Sequence, residues 1–70
     1  MSMKIFQERL IELRKERHFS QREMAKFLNI SQPSYIRYEN GKAEPSLENL
    51  SKIARIFDVS TDYLVGLSDI

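Results

Sequence analysis

Phe6, Leu10 and Leu13 recur at i, i+4 and i+7, with Glu8, Glu12, Lys15 and Glu16 on the remaining surface. One apolar stripe on a 3.6-residue period predicts an amphipathic helix over about 4–17. A second apolar set, Met24, Ala25, Phe27 and Leu28, predicts an inward face for a helix starting at about residue 21. Its start is marked by Ser20-Gln21-Arg22-Glu23. The Ser20 hydroxyl can take the Glu23 amide while the Glu23 carboxylate returns to the Ser20 amide, a capping box. Phe19 and Met24 stand at N′ and N4, where a hydrophobic staple forms, and the helix is expected to stop near Asn29, which tolerates the left-handed conformation.

The same grammar repeats along the chain. Ser31 is the expected cap of a third helix over about 32–40, with Ile30 and Tyr35 as staple and Gly41 at C′. After Lys42-Ala43-Glu44-Pro45, Ser46 caps a fourth helix with the apolar set Leu47, Leu50, Ile53, Ala54 and Phe57. Ser60 caps a short fifth helix, with Asp62 toward the positive end of its dipole, Val59 and Leu64 as staple and Gly66 at its end. Nothing sustains the period-two alternation of a strand. The expectation is an all-α fold, a compact bundle of five short helices, in a single domain over 1–70.

Composition narrows the chemistry. Seventy residues lie near the lower limit for folding without a staple, and the chain contains no cysteine, which removes disulfides and thiolate metal sites and fits a reducing, cytoplasmic setting. No apolar run approaches the roughly 18 residues of a membrane span, and the opening MSMKIFQERL lacks the apolar stretch of a signal peptide. His18 is the only histidine, and no His/Asp/Glu cluster accompanies it. Neither a metal site, a cofactor nor an enzymatic constellation is expected. The net charge is only +1, yet it is unevenly spread. Residues 1–42 carry nine bases against five acids, a balance of +4, and residues 43–70 carry two against five, a balance of −3. One half is thereby suited to a polyanion.

The third helix divides in the same sense. At ~100° per residue, Tyr35, Tyr38 and Glu39 fall on one side and Gln32, Pro33, Ile36 and Arg37 on the other, with Ser34 at the border. The tyrosines read as core, able to bury against Ala25 and the first helix, rather than as nucleotide-stacking groups. The opposite side has no apolar stripe to explain it as core. Lys15, Arg17, Arg22 and Lys26 read first as a solvated face, with Arg22 the nearest of them to a phosphate.

The set Ser20-Gln21, Ala25, Tyr38-Glu39-Asn40-Gly41-Lys42, Pro45-Ser46 and Asp62-Tyr63-Leu64 resembles the Cro and phage-repressor (XRE) family of helix-turn-helix DNA-binding proteins over roughly 6–67. Two departures are Asn29, where a glycine is common, and Pro33 in the reading helix. The resemblance implies a lambda-repressor-like fold with the helix-turn-helix at about 20–40, and a transcriptional regulator, expected to be a repressor, of double-stranded DNA. It implies base contacts from Gln32, Pro33, Ile36 and Arg37, and phosphate contacts from Gln21, Arg22, Ser34, Asn40 and Lys42. Gln32 matches a position that can address adenine or a phosphate, and Arg37 one that can pair with guanine. Pro33 loses only an amide that has no intrahelical partner, but its ring disfavours α conformation at Gln32. Gln32 is therefore expected at or before the first helical residue. Pro33 and Ile36 can read only by apolar contact, and Ile36 is equally a partly buried edge residue. Arg14 and Glu39 match a structural ion pair.

A homodimer on a two-fold operator is expected, with half-site centres about 34 Å apart, and with Tyr63, Leu64, Val65, Leu67 and Ile70 as its interface. A bacterial or phage-encoded, nucleoid-associated protein fits that role. Alternative readings are a DNA-binding antitoxin, a DNA-binding fragment of a larger regulator, or a protein-interaction module using the Pro33/Ile36 surface.

Overall fold

The computed structural model describes residues 3–70. Its elements are α1 (Met3–Glu16), α2 (Gln21–Leu28), α3 (Gln32–Glu39), α4 (Leu47–Phe57) and α5 (Thr61–Val65). The four later helices begin at serine caps. Ser20, Ser31, Ser46 and Ser60 each accept, on the side-chain oxygen, from the amide three residues on. At α2 the capping box is complete, with Glu23 Oε1 accepting from the Ser20 amide at 2.8 Å. Each cap satisfies a donor with no helical partner, worth about 1 kcal/mol.

All five helices also stop in one way. A residue with positive φ follows each, and the next amide donates back five residues, as in Ile30 N to Ala25 O at 3.0 Å and Val59 N to Ala54 O at 3.0 Å. Asn29, Gly41 and Gly66 were expected in these roles. His18 (φ 58°) and Asp58 (φ 53°) were not, and α1 ends at Glu16, one residue before the expected boundary. Both residues are exposed, and His and Asp, like Asn, are among the non-glycine types enriched in the left-handed region.

α1 packs against α3 and α5, α2 against α3 and α4, and α4 against α5. The core they enclose comprises Phe6, Leu10, Met24, Ala25, Leu28, Tyr35, Tyr38, Ile53, Ala54, Phe57 and Leu64. Fully burying one such large side chain contributes about 1.5–3 kcal/mol. Phe19, Ile30 and Val59, the N′ members of the three staples, are partly buried against this core.

Four expectations are corrected here. Phe27 is 45% exposed rather than inward, and it meets the edge of Phe19 with ring centroids 5.1 Å apart. Leu47 is 84% exposed. It is the first residue of α4, and no neighbouring helix covers that end of the stripe. Leu64, placed above among interface residues, is fully buried in the core and is unavailable to a partner. Arg17 is also not simply solvated, for its Nη2 donates to Phe57 O at 3.2 Å. Among the described residues no helix is long and apolar enough to cross a membrane.

Candidate nucleic-acid interface

The inner side of α3 is held by one buried carboxylate. Glu39, only 5% exposed, accepts from Arg14 Nε at 2.6 Å and Nη2 at 3.0 Å, from Tyr35 Oη at 2.5 Å and from Gln21 Nε2 at 3.1 Å. These donors come from α1, α3 and α2 respectively. The Glu39 carbonyl takes a further bond from Gln7 Nε2 at 3.0 Å. Arg14 in turn donates from Nη1 to Phe19 O at 3.0 Å, tying the α1–α2 turn to the same point. A buried carboxylate is costly unless its lone pairs are taken up. Here no buried side-chain polar atom of the described residues lacks a partner.

The electrostatics follow from that geometry. Burial pushes the Glu39 carboxyl upward, but the donors from Arg14, Tyr35 and Gln21 outweigh it and hold its pKa below the usual carboxylate range. Burial, and then the bond to Glu39, raises the Tyr35 phenol above the tyrosine range. The bond to Glu39 raises Arg14 against the opposing effect of burial. The group stays charged at neutral pH and fixes the rotation of α3 about its axis.

With Tyr35, Tyr38 and Glu39 buried, the other side of α3 faces outward. Gln32, Pro33 and Arg37 are exposed, and Ser34 and Ile36 half-buried. Gln32 is the first helical residue and Pro33 the second, so the proline leaves Gln32 at the head of the helix. Ser34 Oγ accepts from Ser31 Oγ at 2.8 Å. Asn40 caps the C-terminus of α3 and is exposed, as is Lys42 beyond Gly41. Arg22, Arg37 and Lys42 have no acidic group within 4 Å among the described residues.

Gln21 has a partner within the chain that its sequence position did not suggest. Its side-chain amide is turned to Glu39, which leaves its second amide hydrogen and its backbone N–H at the head of α2 for an anion. Sequence reasoning missed the Tyr35 hydroxyl in this network. The i, i+4 spacing of Tyr35 and Glu39 was a usable signal, because such residues adjoin on a helix.

The proposed interface residues do not form one free surface. Tyr63 and Val65 are half-buried, while Leu67 and Ile70 are 76% and 90% exposed. The Arg9 guanidinium lies 4.1 Å over the Tyr63 ring and donates to the carbonyls of Tyr63 and Ser68. It thereby fastens the segment after α5 to α1.

A sequence model described as helix-turn-helix matches residues 10–64. The SPbeta prophage-derived HTH-type transcriptional regulator YonR of Bacillus subtilis is 48% identical over 61 residues, covering 87% of this chain and 56% of that protein. The cryptic phage CTXphi transcriptional repressor RstR of Vibrio cholerae is 45% identical over 64 residues, covering 91% of this chain and 56% of that protein. The crystal structure of a transcriptional regulator from Listeria innocua superimposes with a TM-score of 0.83 at 34% identity, covering 87% of this chain and 57% of that one. The chain thus spans about half the length of the curated relatives it matches. On fold, match and relatives together, this chain belongs to the helix-turn-helix family of the Cro and phage-repressor type.

Proposed function

We propose that this chain binds double-stranded DNA sequence-specifically and regulates transcription as a repressor, with α3 lying in the major groove. The observation that carries this reading is the division of α3. Its inner face is clamped to two other helices through Glu39, and its outer face offers Gln32, Pro33, Ile36 and Arg37 with Arg37 unpaired. A helix that rigid can present an exposed guanidinium to guanine O6 and N7 at little entropic cost. Gln21, Arg22, Ser34, Asn40 and Lys42 lie at the heads and tail of the two helices, where phosphates flank a groove-bound helix. RstR is itself named a transcriptional repressor, which supports the same sign of regulation.

One such domain reads only a few base pairs, so useful affinity requires two copies on a two-fold operator. Leu67 and Ile70, the two freely exposed members of the expected set, supply apolar surface for that homodimer, with the half-buried Tyr63 and Val65 at its edge. Titration of labelled random duplex DNA at increasing salt tests the reading. Tight binding at low salt with a steep negative salt slope supports it, and absence of binding at low salt refutes it. Sedimentation of the free and DNA-bound protein tests the dimer, which a strict monomer in both states refutes.

A further inference from the structure

Arg22, Ala25, Lys26 and Asn29 are spaced i, i+3, i+4 and i+7 and share one face of α2. Together with Ile30 and Gln32 they line an open concavity of about 460 Å³ between α2 and the start of α3. Ala25, a core residue only 3% exposed, lines its inner side. Two cations a helical turn apart overlook it. Neither Arg22 nor Lys26 has an acidic group within 4 Å among the described residues. The adjacent acid, Glu23, is turned back to the Ser20 amide. Two like charges with no acid between them give this hollow a positive potential.

We infer that this concavity seats one backbone phosphate of the bound duplex, held between Arg22 and Lys26 with the Gln32 amide as a neutral donor. The inference rests on the DNA reading above and changes it at two residues. Lys26 becomes a DNA ligand, beyond its favourable place in the last turn of α2, where a cation suits the helix dipole. Gln32 becomes a residue that positions the helix on the strand, and base reading passes to Pro33, Ile36 and Arg37. Two features point to a phosphodiester. The hollow has two positive groups and no negative one, and it is continuous through Gln32 with the exposed face of α3.

The test measures fluorescence anisotropy with a duplex selected from a random library by the unmodified protein, across a range of salt. Lys26→Gln and Arg22→Gln are each expected to reduce the magnitude of the log–log salt slope by about 0.9, the value for one lost phosphate contact. Arg55→Gln, on exposed α4 surface, serves as control and leaves the slope unchanged. Gln32→Ala is expected to weaken all sequences alike, with base preferences intact. Thermal melts confirm that the variants fold. Unchanged slopes in both cation variants, or a relaxed preference at a single base pair in Gln32→Ala, overturn the seat while the DNA reading stands. Failure of the unmodified protein to bind any duplex at low salt overturns that reading and the seat with it.

Discussion

Replacing Arg14 by alanine removes two of the four bonds to the Glu39 side chain and the bond to Phe19 O. Glu39 keeps only Tyr35 and Gln21 as donors and has no way out, being 5% exposed. Breaking a buried pair by removing one partner costs roughly 3–5 kcal/mol. Two remaining donors place the expected loss at the lower end, about 3 kcal/mol. A chain of 70 residues has a total stability of only about 3.5–10 kcal/mol. At about 4–8 °C per kcal/mol for a domain this small, the melting temperature should fall by more than about 10 °C. Urea and thermal unfolding followed by circular dichroism measure this directly.

The pH dependence makes the prediction harder to satisfy by accident. In the parent protein Glu39 has a depressed pKa, so its stabilisation is complete above the unfolded carboxylate value, ~4.3. It is lost as pH falls through the folded value. Without Arg14 the largest of the lowering causes is gone, and the folded pKa moves upward under the same burial. The cost of the unpaired charge is then greatest at neutral pH and declines on acidification. The stability gap between parent and variant should be widest near neutrality and narrow toward pH ~4. Adding Glu39→Gln to Arg14→Ala removes the unpaired charge, and stability at neutral pH should partly recover. An unchanged melting temperature, or a gap that does not vary with pH, refutes the reasoning.

Three further outcomes are expected. Arg37→Ala should keep the melting temperature and relax preference at one base position, at about 1–3 kcal/mol of discrimination. Binding-site selection reads this, and uniform loss across sequences would make Arg37 a phosphate ligand instead. Tyr35→Phe removes a bond to a charged acceptor while preserving the ring, so denaturant unfolding should show a loss of about 1.5–3 kcal/mol; no loss would mean that Glu39 does not need the phenol. Arg9→Ala should release the segment after α5, seen as faster amide exchange at Ser68–Ile70 with little change in α2 and α3; unchanged exchange there counts against the Arg9 clamp.

Much of the fold was legible because its signals are local. Ser20, Ser31, Ser46 and Ser60 announce helix starts within four residues of sequence, since a cap needs only its own side chain and the amide three positions on. The periodicity of α3 separated Tyr35, Tyr38 and Glu39 from Gln32, Pro33 and Arg37, which the structure leaves buried and exposed respectively. What stayed hidden depends on distance along the chain. The phase of an apolar stripe is local, but its usable width depends on which neighbour reaches it, so Phe27 and Leu47 could not be told from core residues. Long side chains choose partners after the chain has closed. Gln21 turns to a carboxylate 18 positions away, Arg17 to a carbonyl 40 away, and Arg9 to one 54 away. The sequence alone thus determined the helices, their ends and the polar face of α3, through interactions spanning a turn or two. Only tertiary packing decided which polar side chains remain free for an anion, because burial first claims the donors that Glu39 and the helix-end carbonyls require.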